Sequence, residues 1–81
     1  MKIVVSICHN EGDIQLSFCR EYEGHRLMLG DQVSVLDRKL PVHLCYLDNQ
    51  LQWVFTLATY YSHDVKGDIA RFRESGFQEI R

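Results

Sequence analysis

The most informative stretch of this sequence is residues 40–61, which read LPVHLCYLDNQLQWVFTLATYY. Apolar residues recur at every second position in both halves of the stretch, and a period of two is typical of β-strands. One face of the first half carries Leu40, Val42, Leu44 and Tyr46. One face of the second half carries Leu51, Trp53, Phe55 and Leu57. The pattern therefore predicts a β-hairpin over residues 40–61.

The turn of this hairpin determines which residues of its two strands face each other. A two-residue turn at Asp48–Asn49 places Tyr46 opposite Leu51. A turn at Asn49–Gln50 slides the register by two residues and keeps the apolar faces matched, so the sequence leaves both turns open.

The second strand of the hairpin is apolar on both faces, because its other face carries Val54, Ala58 and Tyr60. Such a strand is covered on both sides in a folded protein. We expect a C-terminal helix to cover one side, and either more of this chain or a second chain to cover the other. Residues 52–61 also lack charged side chains, and exposed Trp and Tyr residues are typical anchors of protein interfaces.

Two shorter alternating stretches, residues 2–9 and 14–22, predict another β-hairpin, closed by a turn at residues 10–13. The expected register pairs His9 with Ile14, Ile7 with Leu16, Val5 with Phe18 and Lys2 with Glu21. Apolar residues then face apolar residues and the one charged pair has opposite signs, which stabilises a sheet. In this register Cys8 and Cys19 lie about 13 Å apart, too far for a disulfide or a shared metal ion.

The segment between the hairpins, residues 24–39, alternates less clearly. Residues 27–29 and 33–35 each place leucine or valine at alternate positions, and a turn is expected between them at Gly30–Asp31. We therefore expect two short strands here, with one bent strand at the corner of a barrel as the alternative.

A single helix is predicted over residues 63–75. Its apolar stripe has i, i+4, i+7 spacing and consists of Val65, Ile69 and Phe72. Ser62 is the expected N-cap, and Gly76 is the expected left-handed residue after the C-terminus. That ending places Phe77 against the last turn of the helix, and residues 77–80 then alternate as a short edge strand.

These elements predict one compact α+β domain over residues 1–81, with a mostly antiparallel, curved or barrel-like sheet of four to five strands and one C-terminal helix packed on it. A chain this short buries only about 60–65% of the surface that it exposes when unfolded. Its core is therefore thin, and self-association into a dimer would add to its stability.

Composition and charge indicate the compartment in which the protein is expected and the partners that it lacks. The net charge is −2 and both signs are spread along the chain, so no basic cluster attracts nucleic acid or a membrane surface. Three cysteines are an odd number, unlike the even disulfide framework of small secreted domains. The mostly apolar residues 1–7 are too few for a signal peptide, and no stretch approaches the roughly 18 apolar residues of a membrane span. These features predict a cytoplasmic protein.

Seven potential metal ligands occur in the chain, namely Cys8, His9, Cys19, His25, His43, Cys45 and His63. The C-x2–4-C or H-x3–5-H spacing of structural zinc sites is absent, although His43 and Cys45 lie two residues apart on one predicted strand. A small zinc-stabilised domain is therefore an alternative to the main hypothesis. The sequence has neither a catalytic Cys–His signature nor a phosphate-binding glycine loop, so we expect no enzymatic activity, no cofactor and no small-molecule substrate.

A second alternative is a small β-barrel that binds single-stranded nucleic acid. Trp53, Tyr46 and Tyr60 would then serve as platforms for stacked bases. The basic residues Arg71 and Arg73 of the helix point in different directions and interleave with acidic residues, which weakens this hypothesis.

The main hypothesis is a small non-enzymatic protein-binding module, a regulator, adaptor or inhibitor that acts by occupying the surface of a partner protein. The partner is either another protein or a second copy of this chain in a homodimer. The expected contact residues are Trp53, Tyr46, Tyr60 and Tyr61, with Arg71 and Arg73 at the rim.

Overall fold

The structure of the chain, a computed structural model, describes residues 1–9 and 14–80. In chain order the elements are β1 (Lys2–His9), β2 (Ile14–Glu21), β3 (Gln32–Val35), β4 (Arg38–Leu47), β5 (Trp53–Leu57), β6 (Tyr60–Ser62), α1 (Val65–Glu74) and β7 (Gln78–Glu79). The described residues therefore form an α+β fold with seven strands and one short helix near the C-terminus. The predicted α+β class is confirmed. The prediction of four to five strands is wrong, because the second strand of the predicted hairpin is divided into β5 and β6, and the short strands β3 and β7 both join the sheet.

The strands form one sheet that curls into a half-barrel, in the order β3-β4-β5-β1-β2-β7, with β6 also paired to β1. The central strand β1 runs antiparallel to β2 but parallel to β5 and β6. The remaining pairs, β2 with β7, β3 with β4 and β4 with β5, are antiparallel. The sheet is therefore mixed, because β1 pairs with strands of both directions.

The hydrophobic core lies on the inner face of the curled sheet, where α1 packs. Its buried residues are Ile3, Val5, Ile7, Phe18, Val33, Val35, Leu40, Val42, Phe55, Leu57, Tyr60, Phe72 and Phe77. The helix contributes the ring of Phe72, which stacks on Phe18 with the ring centroids 5.1 Å apart and meets Tyr60 edge-on at 5.3 Å. Full burial of one such ring contributes about 1.5–3 kcal/mol, so this cluster anchors the helix to the sheet.

The β1–β2 hairpin has the predicted register over most of its length. The confirmed pairs are Lys2–Glu21, Val5–Phe18 and Ile7–Leu16. The pairing then shifts, so that Cys8 rather than His9 lies opposite Ile14, and the predicted last pair is wrong. The shift arises because β2 accommodates one extra residue at this point. The predicted turn at residues 10–13 lies outside the described residues.

The β4–β5 hairpin departs from the prediction at a bulge in β4. Val42 lies opposite Leu57 but Leu44 lies opposite Thr56, so His43 is an extra residue on the β4 side. Because side chains alternate along a strand, one extra residue reverses the two faces beyond it.

The prediction that four residues of this strand share one face is wrong for that reason. Leu40 and Val42 point into the core, whereas Leu44 and Tyr46 are exposed on the outer face. The connection to β5 is also longer than predicted, because residues 48–52 form a five-residue loop. Neither predicted two-residue turn is present.

Only part of the segment between the hairpins is a strand. β3 confirms the strand predicted around residues 33–35, but residues 27–29 form no strand, so both the two-strand and the single-bent-strand predictions are wrong. The predicted turn is confirmed, because Gly30 has a φ of 89° and the Asp31 amide donates to the Met28 carbonyl at 3.0 Å.

The helix begins with Asp64 as its N-cap, not with the predicted Ser62. The Asp64 carboxylate accepts a hydrogen bond from the Gly67 amide at 3.1 Å. Ser62 is buried instead, and its hydroxyl donates to the Asp68 carboxylate at 2.6 Å. The prediction failed because a serine and an aspartate two residues apart are both good N-caps, and only the three-dimensional structure places Asp68 near the serine.

The predicted ending of the helix is confirmed. Gly76 has a left-handed φ of 89°, and the Phe77 amide donates to the Phe72 carbonyl at 3.0 Å. The two phenyl rings meet with their centroids 5.1 Å apart, which is the hydrophobic contact expected of this motif. The predicted edge strand is also confirmed, since β7 pairs with β2 at one edge of the sheet.

Candidate protein-binding surface

Strand β4 and its flanking segments carry most of the exposed apolar side chains among the described residues. Eight large hydrophobic residues are exposed, and six of them lie on β4, in the β4–β5 loop or in the segment beside β4. Five of these six, which we term the β4 surface, are Met28, Leu29, Leu44, Tyr46 and Leu51. The sixth, Leu47, lies on the opposite face of β4, where it pairs with Trp53. Single exposed apolar residues are common on proteins, whereas their concentration along one strand is typical of an interaction site.

The bulge at His43 creates this surface by turning alternate residues outward. Beyond it Leu44 is 53% exposed and Tyr46 is 43% exposed, while Cys45 packs against the core opposite Phe55. In an uninterrupted strand the two exposed residues would face the core and the cysteine would face outward.

A loop segment runs beside β4 and adds two residues to the β4 surface. The Gly30 amide donates to the Val42 carbonyl at 2.9 Å, and the Cys45 thiol donates weakly to the Leu27 carbonyl at 3.8 Å. Residues 28–29 lie between these two points of attachment. Their exposed side chains are therefore held near the middle of β4.

The β4–β5 loop is organised by the carboxylate of Asp48. One of its oxygens accepts hydrogen bonds from the amides of Gln50 and Gln52, both at 2.9 Å. The bond from Gln52 is the largest cause of the lowered pKa of Asp48, because it favours the charged form. The Leu51 amide closes the loop by donating to the Asp48 carbonyl at 3.0 Å. The tip of the hairpin thus has a defined conformation.

Leu51 is unusual in both conformation and exposure. Its φ is 57°, in the left-handed region, and the residue is 80% exposed. This conformation costs a residue with a β-carbon about 1–2 kcal/mol, and glycine or asparagine adopts it more easily. Folding alone would therefore be served better by a different residue at this position.

A cavity of about 270 Å³ lies on the outer face of the sheet, beside the hairpin tip. The residues that line it are Lys2, Val4, Cys19, Tyr46, Asp48, Val54 and Ile80. Most of the lining is apolar, and Lys2 and Asp48 add one charge of each sign. Sites for drug-sized ligands are about 300–1,000 Å³, and this outer-face cavity lies just below that range.

The structure does not bring together the six residues predicted to contact a partner. Tyr46 lies on the β4 surface, and Tyr61, which is 52% exposed, lies on β6. Trp53 is half-buried, because it stacks on Phe55 and the guanidinium of Arg26 lies 3.8 Å from the centroid of its ring.

Tyr60 lies in the core and joins a polar network. Its hydroxyl donates to Asp37 at 3.1 Å; this hydrogen bond lowers the pKa of Asp37, and burial raises the pKa of Tyr60. Arg71 donates to Asp68 at 2.9 Å and lies 3.7 Å from Asp37. The Arg38 guanidinium lies 4.1 Å from the centroid of the Tyr60 ring. These contacts connect the β3–β4 turn, β6 and α1, so the network stabilises the fold.

Arg73, the other predicted rim residue, forms an ion pair with Glu79 at 3.5 Å. This pair connects the helix to the edge strand β7. Both arginines therefore have partners within the chain, and neither lines the outer-face cavity.

Cysteine and histidine side chains form no metal site in the described ranges. Residues 1–9 and 14–80 contain no group of three or more His, Cys, Asp or Glu side chains that could hold a metal ion. Cys8 is buried, and its thiol donates to the His9 carbonyl at 3.2 Å. Cys19 lines the outer-face cavity, and Cys45 packs against the core.

Comparison with protein-family models, with characterised proteins and with solved structures found no match to this chain. Within the described residues, no helix has the length and apolar character needed to cross a bilayer. The functional proposal therefore depends on the geometry of the β4 surface and the outer-face cavity.

Sequence reasoning missed four of the five residues of the β4 surface, namely Met28, Leu29, Leu44 and Leu51. It placed Leu44 and Leu51 on the inner face of the hairpin because it assumed uninterrupted alternation. One signal was available: residues 48–50 are three consecutive polar residues, which favour a loop longer than two. No local signal marks the bulge at His43.

Proposed function

We propose that the protein is a small non-enzymatic protein-binding module that occupies the surface of a partner protein through its β4 surface. The observation that carries this proposal is the exposure of Leu44, Tyr46 and Leu51 on one hairpin, the last in a backbone conformation that is costly for leucine. A regulator, adaptor or inhibitor acts in this way, without chemistry of its own.

The free energy available from covering the β4 surface supports the proposal. Full burial of one leucine side chain contributes about 1.5–3 kcal/mol. Leu44 and Leu51 each keep more than half of their surface exposed. Tyr46 adds an aromatic ring, and aromatic residues are frequent energetic centres of interfaces. Burial of these residues would therefore offset part of the entropy lost on association.

The charge distribution supports the same class of function. Residues 40–47 contain no Asp, Glu, Lys or Arg, and the centres of protein interfaces are depleted in charged residues. Stacking of single-stranded nucleic acid has weaker support, because Tyr60 is 1% exposed and Arg26 covers the ring of Trp53.

The test compares two variants that each replace exposed residues on different strands. The double variant Leu44→Ser/Tyr46→Ser makes the β4 surface polar. The matched control Tyr61→Ser removes a similarly exposed tyrosine from β6. Because the changed residues are exposed, we expect both proteins to stay folded, within about 0.5 kcal/mol of wild type per substitution. Circular dichroism and urea unfolding check this.

Association is then measured by sedimentation of the chain alone and by calorimetry with any protein that the immobilised wild-type chain captures. We expect the wild type and Tyr61→Ser to associate equally, and Leu44→Ser/Tyr46→Ser to lose the association. The proposed function is overturned if the wild type binds no partner. It is also overturned if the double variant binds every partner that the wild type binds.

A further inference from the structure

Strand β3 lies at one end of the sheet, where it pairs with β4 alone among the described residues. The hydrogen bonds of β4 show which backbone groups of β3 stay unpaired. The Val42 amide donates to the Asp31 carbonyl, whereas the Pro41 carbonyl accepts from the Ala58 amide on the opposite side of β4. Because successive residues direct their backbone groups to opposite sides of a strand, Gln32, which lies opposite Pro41, directs its amide and carbonyl away from β4.

The outer edge of β3 therefore presents two amides and two carbonyls, from Gln32 and from Ser34 two residues further on. Both side chains are exposed, whereas the alternate Val33 and Val35 are buried in the core. Unpaired backbone groups in this spacing are a template for a further strand. Charged side chains, prolines and bulges commonly protect such edges, and residues 32–35 contain none of the three.

The opposite edge of the sheet, strand β7, differs in both length and charge. It has two residues, and one of them, Glu79, forms an ion pair with Arg73 of the helix at 3.5 Å. Charged side chains at an edge disfavour the addition of a strand. The β3 edge is therefore the more open of the two edges that the structure describes.

The four residues of β3 form a short edge, so an added strand needs contacts beyond it. Such contacts are available at the start of β3, where the exposed Asp31 carboxylate accepts a hydrogen bond from the Met28 amide at 2.8 Å. Met28 and Leu29 are themselves exposed and belong to the β4 surface. At the other end of β3 the nearest carboxylate, that of Asp37, is already paired with Arg71. The start of β3 thus offers both a negative charge and an apolar contact.

We infer that the β3 edge binds an extended segment of a partner protein, which joins the sheet as an antiparallel strand. Two alternate residues of that segment exchange backbone hydrogen bonds with Ser34 and Gln32, and the apolar residue between them lies opposite Val33. The next residue is basic and lies opposite Asp31, and the one after it is apolar and contacts Leu29. This inference rests on the proposed function, because Leu29 is part of the β4 surface.

The charge at the start of β3 favours another protein over a second copy of this chain. When two β3 strands pair with Gln32 opposite Ser34, which matches all four backbone groups, Asp31 lies opposite Val35. Residues 32–35 include no basic side chain, so a second β3 strand leaves the Asp31 carboxylate without a positive partner. A basic residue at that position in another protein supplies the opposite charge.

The probe for this site is the peptide TTVTKL, acetylated and amidated at its ends. Its second and fourth residues are placed opposite Ser34 and Gln32, and its lysine is placed opposite Asp31. NMR spectra of the isotopically labelled wild-type chain follow the titration. We expect saturable shifts of the Gln32 and Ser34 amide signals and slower exchange of these amides with water. The amides of Val33 and Val35 face β4 and should change less.

Two modified peptides test the register of the added strand. N-methylation of the fourth residue removes the amide that donates to Gln32 and should raise the Kd about tenfold. N-methylation of the third residue changes an amide that faces away from β3, so this matched peptide should keep the Kd of TTVTKL.

Variants of the chain test the same contacts from the other side. Ser34→Pro removes an amide that faces away from β4, so the fold should be retained and the Kd should rise about tenfold. The matched control Ser34→Thr keeps the amide and should bind as wild type. Asp31→Asn should raise the Kd for TTVTKL about threefold but leave the Kd for TTVTTL, which lacks the lysine, unchanged. Circular dichroism checks the fold of each variant.

Three results would overturn the inference. The first is a titration to millimolar TTVTKL that leaves the Gln32 and Ser34 signals unshifted. The second is equal binding of the two N-methylated peptides. The third is protection of the same amides in the chain alone as its concentration rises, because a second copy then occupies the edge.

The proposed function is tested separately, because Leu44→Ser/Tyr46→Ser leaves the β3 edge unchanged. If that double variant loses association but TTVTKL does not bind, the proposed function stands without strand addition. If the double variant also keeps every association of the wild type, both fail.

Discussion

The two longest hairpins of the sheet share an inner face but differ on the outer face. In the β1–β2 hairpin the outer side includes the Ser6–Ser17 hydrogen bond at 2.9 Å and the opposed charges of Lys2 and Glu21. In the β4–β5 hairpin the outer side carries the exposed Leu44. Both hairpins bury apolar side chains on their inner faces, so the requirements of the core do not explain the difference.

The apolar outer face of the β4–β5 hairpin depends on one bulge. If His43 took a regular strand position, the alternation that buries Val42 would also bury Leu44, and the two hairpins would resemble each other. The exposure of Leu44 and Tyr46 is therefore a product of the bulge. The following predictions test which features the hairpins share and which separate them.

The largest expected effect concerns what the hairpins share. Phe18→Ala in β2 and Phe55→Ala in β5 each remove a ring that is 0% exposed. Each should lower the free energy of unfolding by about 3–5 kcal/mol, because the lost burial adds to the cavity left behind. Urea unfolding followed by circular dichroism measures both, with Leu44→Ala as the exposed control. A loss near zero for either phenylalanine would contradict a common core.

The next prediction removes the bulge itself. In β4 without His43, regular alternation still places Leu44 opposite Thr56 and away from the core. Deletion of His43 should therefore keep Leu44 and Tyr46 exposed and cost less than about 1 kcal/mol. Urea unfolding measures the cost, and photo-CIDNP of the tyrosines reports the exposure of Tyr46. His43→Ala keeps the chain length and should behave as wild type. A deletion variant with a buried Tyr46 would contradict the assignment of His43 as the extra residue.

A smaller effect is expected at the tip of the β4–β5 hairpin. Leu51→Gly should raise the free energy of unfolding by about 0.5–1 kcal/mol, because relief of the left-handed φ exceeds the entropy cost of glycine. Leu16→Gly in β2 makes the same change at a half-buried strand position and should lower stability instead. Both are measured by urea unfolding at a concentration where the chain is monomeric. Equal losses in the two variants would contradict strain at Leu51.

The smallest effect is the pH dependence of the same tip. The pKa of Asp48 in the folded state lies below its ordinary value of 3.8, chiefly because of the hydrogen bond from the Gln52 amide. The carboxylate therefore contributes stability above that value, and the contribution is lost as the pH falls through the folded-state pKa. The amide signals of Gln50 and Gln52 should titrate together in NMR spectra with a midpoint below 3.8. In Asp48→Asn they should not titrate, and a wild-type midpoint above 3.8 would contradict the hydrogen-bonded loop.

The part of the fold that could be predicted from the sequence is the part governed by local rules. The β1–β2 register followed from matched pairs such as Val5–Phe18, and the helix ending followed from Gly76 and its neighbouring Phe77. Both depend on residues that are close in the chain or joined by a tight connection. The position of β1 beside β5 could not be predicted, because parallel pairing joins segments about fifty residues apart without a local signal.

The candidate surface was predictable only in outline. An uncharged, apolar hairpin in a short chain indicated a place for a partner, and Tyr46 was expected there. The residues around it were assigned to the core because strict period-two alternation assumes that no residue is inserted into the strand. A single bulge at His43 and a loop of five residues are enough to reverse those assignments.

The sequence by itself determined the α+β class, the apolar inner faces and the capped end of the helix, since alternation, helical spacing and a left-handed glycine act over a few residues. Three features became visible in the tertiary structure alone: the sheet is mixed, Leu44 and Tyr46 face outward, and the loop that carries Leu51 lies beside a cavity. These features depend on which strands pair and in what register, and that choice is made by long-range packing of the whole core.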